Sequence, residues 1–289
     1  MFANVLRYRS HRYLWWAAAS IAVGWALYVS QGEGEPPNGG TWQGYVLGTW
    51  AALLIVWLAL LGYRKRSYRS GIGNTQGWTS AHIYLGLAVW VLATLHCAAQ
   101  FGINVHTLAY ALMSAVILSG LMGLYAYLSF PPRLSRNRGR HNRSELFAEL
   151  YELNRAGLDL ANRCAADVQT AVRSSIQLTR IGGGVLAQLS GRDASSFDTL
   201  EQGRRPNTDQ SAVIEAVAAR ITRAARRDEV AYLQDLLAVL CRRQAVLRRL
   251  REDVRLNGWL NVWLYVHVPL TLATVAALIA HILSTFIYW

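Results

Sequence analysis

The chain has 289 residues, 53% of them hydrophobic, with 29 Lys and Arg against 17 Asp and Glu and a formal net charge of +12. The apolar residues stand in long blocks rather than spread out, which excludes an ordinary soluble domain. The basic residues flank those blocks, which argues against nucleic-acid binding and for a topology signal or contact with membrane lipid.

Five blocks approach or exceed the roughly 20 residues needed to cross the hydrocarbon core. They run approximately over Tyr13–Ser30, Trp42–Tyr63, Trp78–Phe101, Val105–Phe130 and Trp259–Trp289. The first follows Arg7, Arg9 and Arg12 and has the outline of a signal peptide. It lacks an A-x-A-like cleavage site and carries bulky Trp and Tyr, so a retained anchor helix is expected. Trp15, Trp16, Trp42, Trp78, Trp259, Tyr288 and Trp289 fall near block ends, as interfacial aromatics do.

The charges alternate along the chain. Arg64, Lys65, Arg66 and Arg69 follow the second block, and Arg133, Arg136, Arg138, Arg140 and Arg143 follow the fourth. The link between the first and second blocks holds only Glu33 and Glu35, and the turn between the third and fourth has no charge. The positive-inside rule then predicts a multi-pass protein of the inner (plasma) membrane, with the N-terminus and residues 131–258 cytoplasmic and the C-terminus on the outer, periplasmic face. The expected division is an anchor helix and outer loop over 1–41, core helices over 42–130, a cytoplasmic insertion over 131–258 and a final span over 259–289.

The fourth block is expected to end at Pro131-Pro132. The insertion beyond it holds 22 of the 29 basic and 15 of the 17 acidic residues, so it belongs in water. Leu146, Leu150, Leu153, Leu160, Cys164 and Val168 repeat at helical steps, with Asn142 and Glu145 as a capping box. Gly182-Gly183-Gly184 has no GxxxxGK[ST] frame and reads as a hinge. Ile214, Val217, Ile221, Leu236, Leu240, Leu247, Leu250 and Val254 mark a second helical pattern from about Thr208 to Leu256. A long antiparallel helical hairpin, continuing near Gly258 into the last span, is the simplest arrangement. Cys97, Cys164 and Cys241 form no CxxC or CxxCH, which leaves no disulfide framework and no covalent haem attachment.

Four histidines carry the chemistry. His82 and His96 lie fourteen residues apart in the third span, and His267 and His281 lie fourteen apart in the fifth. Fourteen steps of 100° return to within about 40° of one helix face, about 21 Å further along the axis. An ionisable side chain inside a membrane is costly and marks a functional site. The topology makes the third and fifth spans parallel, so the expected pairs are His82–His267 and His96–His281. Two haems between those spans, each held by two imidazoles, explain all four residues; residues fourteen apart cannot share one bare ion. Gly48 and Gly62 in the second span repeat the same interval and are candidates for haem clearance, with Gly86, Gly120 and Gly123 as weaker ones.

The segments HIYLGLAVWVLATLH (82–96) and HVPLTLATVAALIAH (267–281) resemble the ligand-bearing helices of dihaem cytochromes b. The nearest pattern is the four-helix haem core of the quinol–cytochrome c oxidoreductase cytochrome b, whose second and fourth helices each carry two histidines at this spacing and whose first and third carry clearance glycines. The resemblance covers roughly 42–130 and 259–289. It implies an all-α integral membrane protein with five transmembrane helices, a four-helix dihaem core, a cytoplasmic helical hairpin and two non-covalent, bis-histidine b-type haems. The chain departs from that pattern in its extra N-terminal helix, its insertion and the absence of a Pro-Glu-Trp-Tyr-like quinol motif.

The expected function is a dihaem cytochrome b subunit carrying electrons across the membrane between a quinone pool or cytoplasmic donor and a redox partner. Partners would be lipid, an outer-face cytochrome or Fe–S protein or a cytoplasmic reductase, and a quinone as a further ligand, with no nucleic acid. With no flavin, nicotinamide or Fe–S motif, the chain reads as a subunit rather than a whole enzyme. The alternative is a haem-free scaffold or transporter subunit whose histidines relay protons. His106 reads as a plain interfacial histidine, His11 and His141 as solvated, and Arg64, Arg66 and Arg69 as candidate partners for haem propionates.

Overall fold

A computed structural model describes residues 5–31, 38–66, 73–139, 141–223 and 227–287. Glu33, Glu35, Arg69, Arg140, Tyr288 and Trp289, which entered the topology and aromatic-belt arguments, lie outside the described residues. The chain is mostly helical (79%) and divides into two compact units. The first comprises residues up to Leu128 together with those from Val262 onward, and the second runs from Ser129 to Asn261.

In the first unit, α1 spans Arg12–Val29, α2 Trp42–Ala59, α3 Leu61–Arg66, α4 Thr75–Cys97, and α5 starts at Val105. The last helix, α10, runs from Arg227 to Ile287 and brings its C-terminal part into this unit. Thr41 caps α2, its hydroxyl accepting from the Gly44 N–H, and Asn74 caps α4 by accepting from the Gln76 N–H. These bonds satisfy amides that the first helical turn leaves free. α4 packs on both α1 and α2. Leu47, Ala51, Leu92 and Leu95 form one buried cluster and Leu58, Val89 and Met113 another.

Among the described residues, four helices are long and apolar enough to cross a membrane: those containing Trp42–Arg66, Thr75–Cys97, the apolar start of α5 and the apolar end of α10. They do not bury that surface within the chain. Only 6% of the apolar window of α10 is buried, and Leu272 and Phe286 are 67% and 79% exposed. Water would penalise such a face, whereas lipid would not, which is compatible with a membrane protein. The α1 helix, eighteen residues that begin with Arg12 and include three Trp and two Tyr, is not among the four.

Two expectations about helix ends and elements need correction. The α5 helix does not stop at Pro131-Pro132 but continues to Arg138 with both prolines inside it. Proline's fixed φ suits a helix; what it removes is a donor to the carbonyl four residues back, a local loss the surrounding turns can carry. The insertion is also not purely helical. It consists of α6 (Arg143–Ala161), α7 (Ala166–Gln177), α8 (Val185–Ser190), strands β1 (Ser196–Thr199) and β2 (Gly203–Pro206), α9 (Ser211–Ile221) and the polar part of α10. The strands pair antiparallel, Asp198 opposite Arg204, and Gly203 at φ +67° closes the three-residue loop.

The second unit packs like a water-soluble protein. Asn142 and Glu145 form the expected capping box at α6. Leu146, Leu150 and Leu153 pack with Val246, Leu247 and Leu250, while Val168, Phe197, Val217, Leu236 and Leu240 share a second core. Asp253 is fully buried between Arg138 and Arg143, so these two arginines serve the fold as well as the charge bias. Arg243, 1% exposed, donates to Asn154 Oδ1 and Thr179 Oγ1, both at 2.7 Å, and to Gln210 Oε1. Burial, and then the nearby Arg251 charge, lower its pKa to about 10.

Candidate cofactor site

The α4 helix carries His82 and His96, and α10 carries His267 and His281. Their side chains meet in the expected pairs. The His82 and His267 ring centroids are 6.4 Å apart with the planes at 66°, and those of His96 and His281 are 6.1 Å apart at 82°. Two imidazoles bound to one metal at about 2.0–2.1 Å each, plus two ring radii of about 1.1 Å, would put the centroids about 6.3 Å apart. Both pairs are therefore compatible with the spacing of a shared metal, a separation that edge-to-face ring pairs also adopt.

The outward nitrogens are all engaged. His82 Nδ1 bonds the Leu58 carbonyl at 3.2 Å, and His96 Nδ1 bonds the Gly44 carbonyl at 2.7 Å. A carbonyl only accepts, so both rings carry their proton on Nδ1. His267 Nδ1 meets Ser119 Oγ at 2.7 Å, while that hydroxyl donates its own proton to the Val116 carbonyl at 2.8 Å. Ser119 must then accept from His267, which fixes the same tautomer. His281 Nδ1 meets His106 Nδ1 at 2.5 Å. Among the described residues, no Nε2 of the four makes a hydrogen bond, and in His82, His96 and His267 the free lone pair is on Nε2. Metal-binding histidines are oriented in this way, by a second-nitrogen bond that fixes the tautomer and raises the basicity of the other.

The sequence explains where two of these anchors come from. A helical side chain leans back over the turn before it, so residue i+4 covers the carbonyl of residue i. Gly48 stands four after Gly44, and Gly62 four after Leu58. At Gly48 the clearance is used fully: an added Cβ would lie 2.7 Å from His96 Cε1 and 2.8 Å from its Nδ1. At Gly62 a Cβ would meet nothing within 4 Å. Leu58 sits in the last turn of α2, where carbonyls lack the regular donor four residues on, and its carbonyl also accepts from His82.

An apolar cavity opens at the first pair, lined by His82, His267, Gly86, Gly120, Met113 and Leu124 among other apolar residues. Thr271 and Thr274 also line it, but their hydroxyls bond the His267 and Leu270 carbonyls of their own helix. A Cβ at Gly86 would project into open space, and one at Gly120 would stand 3.5 Å from His267 Cε1. Gly123 instead makes room for the Trp263 indole, whose Nε1 donates to the Ser119 carbonyl at 2.8 Å and whose ring lies 5.3 Å from that of His267.

Several residues fall differently from the sequence reading. His106 is not merely interfacial but packs edge-on to His281, centroids 4.5 Å apart. Arg64 donates to the Gly73 carbonyl at 2.7 Å. Ser119 carried no sequence signal, since serine is common in membrane helices for packing alone. His141 is exposed, and His11 is half-buried at the start of α1.

Two imidazoles are too few donors for a zinc site, and among the described residues no group of three or more His, Cys, Asp or Glu is placed to hold a metal ion. Two imidazoles are, however, a complete axial set for haem iron. The donor set, the centroid spacing and the apolar lining fit haem at the first pair. At the second, the donor set and spacing fit. Comparison with family models, with curated proteins and with solved structures finds no match to this chain.

Proposed function

We propose that this chain is a dihaem cytochrome b subunit that carries electrons across a membrane. One observation supports the reading: four histidines on two helices, each tied back through Nδ1, meet in two pairs whose ring centroids stand 6.4 and 6.1 Å apart, compatible with two metal–imidazole bonds. His82 and His267 would hold one b-type haem and His96 and His281 the other, without a covalent link. Bound haem supplies a one-electron couple, and with both axial positions filled by imidazole it suits electron transfer rather than oxygen binding.

The protein residues act by holding. Leu58, Gly44 and Ser119 fix ring orientation and keep the proton on Nδ1 of their partners, and His106 fixes the orientation of the His281 ring. Gly86 and Gly120 leave room, and the apolar walls exclude water. The fourteen-residue spacing separates the two sites by about 21 Å along the axis. On this reading the protein has five spans, α1 being the fifth, and lies in the inner membrane with residues 131–258 in the cytoplasm. It resembles the haem core of the quinol–cytochrome c oxidoreductase cytochrome b, and its electrons would pass between a quinone pool or cytoplasmic donor and a redox subunit outside.

The test is a pyridine haemochrome assay with a reduced-minus-oxidised spectrum on the purified chain. Two haems b per chain are expected. Zero stoichiometry after expression with ample haem would overturn the proposal. A second reading, a haem-free proton relay, draws on the chain of imidazoles His106–His281–His96, of which His106 is exposed. It requires that same zero.

A further inference from the structure

The segment 180–192 has a chemistry that electron transfer does not use. The α8 helix follows Gly182-Gly183-Gly184 and ends at Gly191, which sits at φ +66°. It presents Val185 and Leu186 outward, 60% and 83% exposed. Its other side rests on α10 at Gly258, where an added Cβ would lie 3.7 Å from both Gln188 Oε1 and Leu189 Cδ2. Gly258 immediately precedes Trp259, the first residue of the apolar run of α10. The α8 helix is thus fixed at the level where the α10 sequence changes from water-compatible to lipid-compatible, and it exposes two aliphatic residues there.

Beside it lies a shallow cleft lined by Arg180, Arg192 and Arg251 with Gly182, Gln188 and Gly191. Arg251 is committed: it pairs with Asp193 at 2.9 Å and donates to the Arg180 carbonyl and Ser195 Oγ. Arg180 and Arg192 are not. Neither guanidinium has a hydrogen-bond or ion-pair partner among the described residues, and both are exposed. Two free guanidinium groups flank a cleft next to two exposed aliphatic side chains at a membrane boundary. That combination matches the two halves of an anionic phospholipid, a phosphate and an acyl region.

We propose that this segment is a lipid-docking surface: Arg180 and Arg192 hold the headgroup phosphate of an anionic phospholipid in the cleft, and Val185 and Leu186 enter the interface beside it. A free inorganic phosphate would satisfy the arginines but leave the aliphatic pair in water, so lipid is the occupant the whole surface fits. The inference needs only the membrane character of the chain, not its cofactors.

The test is hydrogen–deuterium exchange on the full chain in nanodiscs of phosphatidylcholine with and without phosphatidylglycerol. Backbone amides of 182–191 should exchange more slowly with phosphatidylglycerol, by a factor on the order of ten, the scale set by two juxtamembrane arginines. The double variant Arg180→Gln/Arg192→Gln should lose that difference, and Arg180→Lys/Arg192→Lys should keep most of it. Equal exchange in both lipids would overturn the proposal. So would full protection by inorganic phosphate in phosphatidylcholine alone, which would make the site one for a free anion.

Discussion

The two histidine pairs share ligands, spacing and helices, yet their surroundings differ. His82 and His267 border a preformed apolar cavity, with Gly86 and Gly120 in its wall. His96 is instead pressed among glycines, with Gly48 and Gly39 both within contact distance, and His281 carries a second imidazole, His106, on its Nδ1. A second asymmetry runs between the helices. Both histidines of α4 are tied to backbone carbonyls of α2, and both histidines of α10 are tied to side chains of α5. A backbone anchor is indifferent to the side chain at its own position, whereas a side-chain anchor can be removed by one substitution. The α10 ligands are therefore the tunable half of each pair.

The largest expected effect comes from removing a ligand. His267→Ala should lower the haem content from two per chain to one and abolish the absorbance of the first site, while His96→Ala should do the same for the second. Each loss should leave the other site's spectrum in place, because the four ligands divide cleanly between two pairs. Retention of both bands in either variant would show that the pairing is wrong. Gly86→Leu separates the sites by another route: a bulky side chain projecting into the cavity should exclude the first haem and spare the second, which the same spectra would record.

A smaller contrast lies within α2. Gly48→Ala would place a methyl group 2.7 Å from His96 Cε1, and that ring is already held at 2.7 Å to the Gly44 carbonyl. It must rotate and lose its anchor, so affinity at the second site should fall about tenfold or more, the usual range for losing an outer partner of a metal ligand. Gly62→Ala projects into open space and should leave both sites nearly unchanged. Titration of the apoprotein with haemin measures both, and equal losses in the two variants would remove the distinction between them.

These contrasts also mark what the sequence could reveal. The pairing was legible, because a fourteen-residue spacing on two parallel helices leaves one consistent solution. Gly48 was legible by its register, since it repeats the ligand interval. The anchors were not: the carbonyls of Leu58 and Gly44 carry no side-chain signature, and Ser119 and His106 become meaningful only once α5 packs beside α10. In the second unit, Leu160, Cys164 and Val168 keep helical spacing straight through the break between α6 and α7, so periodicity predicted one helix where there are two. The β1–β2 hairpin had a faint signal in Gly203, a glycine shortly after a Ser-Phe-Asp-Thr run, which the arginines after it obscured. Pro131-Pro132 misled because proline removes one donor but does not forbid the helical φ.

The finest effect expected is on potential rather than occupancy. Ser119 accepts the His267 Nδ1 proton, which makes the imidazole a stronger donor through Nε2 and favours the oxidised metal. Ser119→Ala should therefore raise the midpoint potential of the first site and leave the second alone, by an amount on the order of the 59 mV that a tenfold change represents for one electron. His106→Phe should do the converse, raising the second and sparing the first, if His106 accepts from His281 as Ser119 does from His267. Spectroelectrochemical titration resolves the two sites in each variant. A shift of the same size at both sites from a single substitution would mean that the α5 side chains act through the packing of the bundle as a whole, and not through the individual ligands they touch.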